Sequence, residues 1–471
     1  MIVMKFGGTS LESAEALRRM ARIVAARAAE QPFVVVSAMG KTTNDLLAAG
    51  EEAAAGRTSE ATARSERLRA YHLREAGPAI GSDRRAALDR IVDKHFQELA
   101  LTLGRIAVVA QVTPQLSDEL ASFGERLSSE IVPLVLRRVG LDGAHIDARD
   151  VIVTEARHTR AAPVAEVANK RIAQAVDRLR PGQVPVMGGF VGATESGVTT
   201  TLGRGGSDFS AAIVGAAVGA REIQIWTDVD GMMTCDPRVV PGALRIRTLS
   251  FAEAAELAYF GAKVLHPATL LPAMERNIPV LVLNSRRPEG SGTRIVAERV
   301  PSTSAIKCVA CKRDITVVDV RSTRMLMAYG FLHRIFEIFD RHETAVDMLA
   351  TSEVSVSLTI DNAGRLEEIC AELRPFAEVS SEAEQAIVCL VGDNIRKTPG
   401  VAARAFGALE DINVRMISQG ASRLNLSFVV AGTDAPRAVR LLHQEFFRDA
   451  DTALFDGGEN LAEEALEGKQ A

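Results

Sequence analysis

The sequence predicts an α/β domain with a mostly parallel sheet covered by helices on both faces, followed by two small α+β units. Three observations carry this expectation. From residue 1 to about 298, short β-branched runs alternate with longer Ala-rich amphipathic stretches, the pattern of a doubly covered parallel sheet. Beyond about residue 305, a strand, helix and paired-strand plan occurs twice, at an offset that shrinks from 70 to 68 residues. The length of 471 residues also suits about three domains at roughly 150 residues each.

The clearest strands are Ile2–Phe6, Phe33–Ser37, Val184–Met187, Ile223–Thr227 and Val280–Leu283, most of them too continuously apolar for a half-exposed sheet. Residues 50–120 are helical in pattern and rich in Ala, Arg and Glu. They read as an excursion from the sheet with a solvated charged face. Around Arg286-Arg-Pro-Glu-Gly-Ser-Gly292 the composition turns to loop residues, and Pro301-Ser-Thr-Ser304 follows, so a boundary is expected near 298. In the repeat, Gly330-Phe-Leu-His-Arg-Ile-Phe336 is echoed by Gly400-Val-Ala-Ala-Arg-Ala-Phe406, and Val346-Asp-Met-Leu349 by Val414-Arg-Met-Ile417. Each copy continues into alternating strands, Val354–Ile360 and Leu424–Val430. Residues 449–471 hold seven acids against Lys469 and are expected to be a disordered, solvated tail.

Composition narrows the function classes. With 55 Lys+Arg against 60 Asp+Glu, the net charge of −5 lacks the basic excess of a nucleic-acid binder. No apolar run reaches about 18 residues, so no membrane span is expected, and the N-terminus lacks a signal-peptide pattern. Five irregularly spaced cysteines do not form a disulfide framework, which favours a reducing, cytoplasmic home. Cys308 and Cys311 form one C-x-x-C, but within a strand they fall on opposite faces, and no second pair or nearby His completes a metal site.

Two glycine-rich turns concentrate the chemistry. Lys5-Phe-Gly-Gly-Thr-Ser10 joins the first strand to a helical pattern, so its backbone N–H groups, the helix N-terminus and Lys5 could all face an anion. A tight βα turn capped by Thr9 or Ser10 suits the same residues. The second turn, Thr199-Thr-Thr-Leu-Gly-Arg-Gly-Gly-Ser-Asp208, combines backbone donors, a bidentate cation and an orienting carboxylate, a density that turn geometry does not require. Further candidates are Ser37-Ala-Met-Gly-Lys-Thr-Thr-Asn44 at a strand end, and Ser122 with Glu125 on one helix face. Asp228, Asp230 and Asp236 follow another strand, where turn formation is the competing explanation. No G-x-x-x-x-G-K-[ST] loop or protein-kinase set occurs, and none of the eight histidines lies in a glycine-rich segment.

These residues carry a family resemblance. Lys5–Ser10, Thr201-Leu-Gly-Arg-Gly-Gly-Ser-Asp208, Trp226-Thr-Asp-Val-Asp-Gly231, Asp236-Pro-Arg238 and Phe260-Gly-Ala-Lys-Val-Leu-His-Pro267 resemble the motifs of the aspartokinases, within the amino-acid kinase superfamily. The C-terminal repeat resembles their paired ACT domains. Thr351-Ser-Glu-Val-Ser-Val-Ser357 is most similar to the lysine-responsive, monofunctional type. The resemblance implies an amino-acid kinase domain over 1–298, a first ACT domain over 312–384, and a second built from 299–311 with 385–448. It implies transfer of the γ-phosphoryl group of ATP, bound with Mg2+, to the side-chain carboxylate of L-aspartate, feedback inhibition by an amino acid such as lysine, and a homodimer through the ACT domains.

Carried over by position, Lys5 contacts the transferring phosphoryl group, with Gly7 and Gly8 offering backbone donors. Asp208 orients Lys5, Arg204 clamps a substrate carboxylate, and Glu125 takes the substrate ammonium. Ser37, Thr43, Phe190 and Ser207 complete the aspartate pocket. Thr227, Asp228, Met233, Arg238, Lys263 and Val264 line the nucleotide site, where family members often carry a tyrosine in place of Met233. In the first ACT copy, Asp347 is expected to accept an effector ammonium, with Met325, Leu332, Val346, Thr351, Ser352 and Glu353 around it. Its counterpart Arg415 in the second copy could not. For Met325, Leu332 and Val346, plain core packing is the alternative. The competing functions are another amino-acid kinase, such as a glutamate or acetylglutamate kinase, and a non-catalytic amino-acid sensor.

Overall fold

The computed structural model describes residues 1–261, 267–298, 304–322 and 329–456. The chain divides into two compact units, one of Met1–Met232, Thr248–Phe251 and Val264–Glu298, the other of Met233–Arg247, Ala252–Lys263 and Arg299–Ala471.

The first unit is built on an eight-stranded sheet in the order Thr248–Ser250, Thr293–Val296, Val280–Asn284, Ile223–Thr227, Ile2–Phe6, Pro32–Val36, Gln183–Gly188 and Asp142–Ile146. All neighbours pair in parallel except Val280–Asn284 with Thr293–Val296. Ile2–Phe6 lies in the middle and every one of its residues is buried, which is why its sequence is apolar on both faces and why Lys5 stands out. The expected helical excursion forms the helices Thr42–Ala54, Thr58–Ile80, Arg85–Val109 and Pro114–Leu136. These are more than a charged cover: Leu46, Ala49, Leu68, Leu99, Leu103, Ile106, Leu120 and Phe123 form a second core between them. Pro114 opens the last helix at a position that needs no N–H, and the Thr113 hydroxyl accepts the Leu116 N–H at 3.3 Å. That helix carries the acidic residues used below.

The second unit holds a six-stranded antiparallel sheet in the order Leu349–Thr351, Ser355–Ile360, Cys308–Arg321, Glu378–Val391, Asn425–Ala431 and Met416–Gln419. Its two central strands are 14 residues long and run through both repeat copies. Cys308–Lys312 pairs with Ile387–Val391 of the second copy, and Val317–Arg321 with Glu378–Glu382 of the first. The register shifts between Lys312 and Ile315, where Asp314 takes φ 59°, and Glu384 on the facing strand takes φ 57°. Such a bulge increases local twist and lets one strand serve two packing layers. The helices Phe331–Arg341 and Val401–Ala408 each begin at a left-handed glycine, Gly330 and Gly400, the residues at which the repeat is visible in the sequence.

Two expectations are corrected by the second unit. The boundary near 298 is crossed by Met233–Arg247 and Ala252–Lys263, which pack with the later residues. The Thr234 carbonyl accepts the Val309 N–H at 2.7 Å, and its hydroxyl lies 2.9 Å from His443 Nε2. The tail expected from 449 is ordered at its start. Phe455–Asp456 pairs with Arg245–Ile246, Phe455 is buried against Phe447, and Asp456 forms ion pairs with Arg245 and Arg247. One apolar pair, Leu454 and Phe455, anchors a segment whose average composition is acidic. The rest of the tail, 457–471, lies outside the described residues.

A wholly buried ion pair joins two segments of this unit: Lys307 Nζ lies 2.9 Å from Glu253 Oε1, with both side chains at 0% exposure. Removing one partner of such a pair leaves the other buried without its counter-charge. Lys307→Met should therefore cost roughly 3–5 kcal/mol in urea unfolding, and adding Glu253→Gln should recover most of that loss. An unchanged unfolding midpoint in the single variant would show that the pair carries no such weight.

Candidate active site

The parallel strands of the first unit end together, and the turns that follow them build a cleft of about 440 Å³. It is lined by Lys5, Thr43, Glu125, Phe190, Arg204, Ser207 and Asp208, seven of the residues expected at the site, together with Asp118, Thr159 and Thr201.

Lys5 projects from the central strand, and its Nζ lies 2.7 Å from Asp208 Oδ1, each side chain about 11% exposed. Asp208 sits in the first turn of the helix Gly206–Val218, whose N-cap Gly205 takes φ 73°. That left-handed cap turns the chain sharply enough to set Arg204, Ser207 and Asp208 around one cleft. Phe190 holds φ 67°, an unfavourable backbone for a bulky residue. Its N–H donates to Ser210 Oγ at 2.9 Å, and its carbonyl accepts the Leu202 N–H at 2.9 Å. The strained residue is thus fixed from both sides, as strain at sites generally must be. Arg204 is exposed at the cleft and available to an incoming anion.

Glu125 is 5% exposed, and its Oε2 is buried without a hydrogen-bond partner. Burial pushes its carboxyl up to about 8, against the opposing effects of the Ala38 backbone hydrogen bond and the Lys5 charge. Gly188 makes this placement possible, because a Cβ there would sit 2.9 Å from the Glu125 carbonyl oxygen. Ser122, on the same helix, is also buried, but its hydroxyl donates to the Glu119 carbonyl at 2.7 Å, a local helix bond.

Other expected residues stand apart. The Gly7 N–H donates to the Trp226 carbonyl at 3.0 Å, because the pairing with Ile223–Thr227 continues one residue past the strand. Gly7 is therefore corrected as a phosphate donor. Ser37 follows the Pro32–Val36 strand and is not among the residues lining the cleft. Thr227 and Asp228 belong to the first unit, where the Thr227 hydroxyl donates to Asp228 Oδ1 at 3.2 Å. Met233 and Arg238 belong to the second, and Arg238 is held by Asp236 through its Nε at 3.0 Å and its terminal nitrogen at 2.7 Å. Asp230 accepts from Asn284 Nδ2 at 2.7 Å and pairs with Arg287. Lys263 and Val264 lie outside the described residues.

In the second unit, Asp347 is not an open acceptor as expected. Its Oδ1 takes the Lys312 ammonium at 2.7 Å and the Tyr259 hydroxyl at 3.0 Å, while its Oδ2 is buried without a hydrogen-bond partner. Lys312 also reaches Asp361 at 2.8 Å. The physical reason is register: Lys312 falls just before the bulge, where it faces the first copy's acidic residues. Arg415 pairs with Glu382, which occupies it as a cation. Leu332, Thr351, Ser352 and Glu353 are exposed, Val346 packs against the first copy's core, and Met325 lies outside the described residues.

In the sequence Asp118 only opens the candidate helical segment Asp118–Ser128, and no role is expected of it. The structure buries it to 1% exposure against the cleft wall.

Residues 1–284 match the amino acid kinase family and residues 388–446 an ACT domain. The lysine-sensitive aspartokinase 3 of Escherichia coli is 40% identical over 95% of this chain and 99% of its own length. A chloroplastic aspartokinase 2 of Arabidopsis thaliana is 39% identical over 94% of this chain and 84% of its own. Among solved structures, E. coli aspartokinase III in complex with aspartate and ADP superposes with a TM-score of 0.82 at 37% identity, covering 95% of this chain and 100% of the other. The same enzyme in complex with lysine and aspartate gives 0.79 at 37% identity, covering 95% of this chain and 99% of the other.

Proposed function

Because the chain belongs to the amino acid kinase family and, within it, to the aspartokinases, we propose a role for each cleft residue in moving the ATP γ-phosphoryl group to the β-carboxylate of L-aspartate. The observation that carries this assignment is the single cleft that holds the Lys5–Asp208 pair, Arg204 and Glu125. A carboxylate nucleophile is ionised at pH 7 and needs no general base. The reaction demands position and charge neutralisation instead.

Arg204 takes one carboxylate of aspartate and Glu125 its ammonium, which leaves the second carboxylate directed along the cleft toward Lys5. Lys5 neutralises charge on the phosphoryl group as it passes, and Asp208 holds the ammonium of Lys5 in that position. Thr43, Phe190 and Ser207 shape the aspartate pocket, and Gly8 closes the first turn. Thr227, Asp228, Met233, Arg238, Lys263 and Val264 remain the nucleotide-binding proposal. Mg2+ travels with the ATP phosphates and supplies charge neutralisation there. Among the described residues no group of three or more His, Cys, Asp or Glu side chains is placed to hold a metal of its own.

The test is ADP release with aspartate, glutamate or no acceptor. Aspartate-dependent release supports the reading. Glutamate-dependent release, or release with neither acceptor, overturns it.

The regulatory part of the proposal takes 312–384 as one ACT copy and 299–311 with 385–448 as the other, a division supported by the six-stranded sheet. Lysine is the proposed effector, since a similar enzyme is lysine-sensitive and its solved structure contains lysine. Asp347 remains the candidate for its ammonium through the free Oδ2. Asp347→Ala should raise the lysine concentration for half-inhibition by roughly tenfold or more, the worth of a charge-assisted hydrogen bond. An unchanged inhibition curve would remove Asp347 from the effector site. Exposed Tyr329, Leu332, Phe336 and Leu349 on the first copy support a homodimer through these units. Among the described residues no helix is long and apolar enough to cross a membrane. A cytoplasmic home is part of the proposal, supported by five cysteines that are all free.

A further inference from the structure

Asp118 lies in the helix Pro114–Leu136, seven residues before Glu125 and therefore on the same helical face. Every direction open to its carboxylate is taken by the protein. Oδ1 accepts the Thr201 hydroxyl at 2.5 Å, both oxygens accept the Thr159 N–H at 3.0 Å, and Oδ2 lies 2.7 Å from His158 Nδ1. These partners come from two elements, the loop that carries His158 and Thr159 and the strand that ends at Thr201, and Thr159 and Thr201 both line the cleft. Thr201 ends the short strand Thr199–Thr201, three residues before Arg204. Thr159 lies on the loop between Thr154 and Pro163, where it adopts φ 68° and its carbonyl packs over Gly203. That loop is tied again to the same strand by the Ala161 N–H, which donates to the Thr201 carbonyl at 2.9 Å.

We infer that Asp118 is a positioning residue for the amino-acid substrate: its carboxylate locks the Thr159 loop and the Thr201 strand end to the Glu125 helix and so fixes the separation of Glu125 from Arg204. Those two groups grip the two charged ends of the α-amino-acid head, so their spacing decides whether the substrate sits in line for transfer. This inference rests on the reading of the cleft as the aspartate site. Asp118 itself does not touch substrate, because its acceptor positions are filled. The strained Thr159 backbone fits such a role. A left-handed threonine persists only where its surroundings hold it, and here Asp118 receives its N–H.

A residue that merely supported the fold would, when altered, lower stability and kcat and raise both Michaelis constants together. A residue that sets the Glu125–Arg204 spacing acts on aspartate alone. The experiment first confirms aspartate-dependent ADP release by the wild-type chain, so that failure of the aspartate reading is seen separately. Asp118→Asn keeps the shape and one acceptor oxygen, and Thr201→Val removes one donor at constant volume. Asp118→Asn should raise KM for aspartate roughly tenfold and Thr201→Val about threefold, with kcat and KM for ATP within about twofold of wild type, as small misplacements of binding groups do. Asp118→Ala, which leaves the Thr159 N–H and the Thr201 hydroxyl unmatched, should raise KM for aspartate about a hundredfold. Thr201→Val decides the matter if the Asp118 variants do not fold. Unchanged KM for aspartate in the folded variants, or equal changes for aspartate and ATP, would overturn the inference.

Discussion

Replacing Lys5 with methionine lowers kcat for aspartate-dependent ADP release by about 10²–10³-fold, the usual worth of one preorganised charge at a developing anion. Methionine keeps an unbranched side chain of similar bulk and removes the charge together with its N–H donors. The size of the effect follows from the position. Lys5 lies on the innermost strand, between Val35 on one neighbour and Ile225 on the other, so its backbone cannot relax. The residue is about 9% exposed, and Asp208 aims its ammonium at 2.7 Å. Water is too scarce there to stand in for the charge. Asp208→Asn should follow the same direction with a smaller loss, because it disturbs the aim of Lys5 and keeps the charge. A Lys5→Met enzyme with native circular dichroism and near-normal turnover would remove Lys5 from the chemistry.

The second large effect concerns Glu125. Its carboxyl titrates at about 8, so below that pH the empty enzyme holds it mostly neutral. An ammonium requires the carboxylate, and aspartate binding below pH 8 must therefore release a proton. KM for aspartate should fall as pH rises from 6 to 8, approaching tenfold per pH unit at the acid end, and level off above 8. Glu125→Gln should abolish that slope and raise KM by roughly 10²-fold. Stability moves the other way. The folded-state value lies above the ordinary 4.5, so the folded state binds more protons than the unfolded one between 4.5 and 8. Glu125 thus costs stability progressively as pH rises through that window. The glutamine variant should unfold at a higher temperature than wild type at pH 8 and at nearly the same temperature at pH 4.5. A KM for aspartate that ignores pH between 6 and 8 in the wild type would sink the assignment.

What the sequence made legible was set by how much each feature is written into consecutive residues. Ile2–Phe6 and Ile223–Thr227 are buried on both faces, so their runs announce a parallel sheet. The turn Thr199–Asp208 packs three glycines with Arg204 and Asp208, a density that marked the cleft directly. Asp118 was illegible because its meaning comes from His158, Thr159 and Thr201, and nothing around it on the helix differs from a solvated acid. Gly7 misled for a similar reason. Whether its N–H faces a ligand or a strand depends on how far the neighbouring pairing extends. Met233–Arg247 joins the second unit through Val309, His443 and Phe455, contacts that span up to about two hundred residues of chain and leave no local signature. Asp347 was chosen only as an acid at a strand end, and its occupation by Lys312 follows from a bulge that only the register reveals.

The two long strands at the centre of the regulatory sheet have an engineering consequence. Cys308–Arg321 and Glu378–Val391 each give one half to either copy. The second copy is therefore a circular permutation, completed by residues that precede the first. Neither copy can be excised, duplicated or grafted without cutting a strand of the other. A chimera meant to exchange effector specificity has to carry 308–448 as one cassette, and a junction placed at 385, where the repeat itself divides, would split a continuous strand.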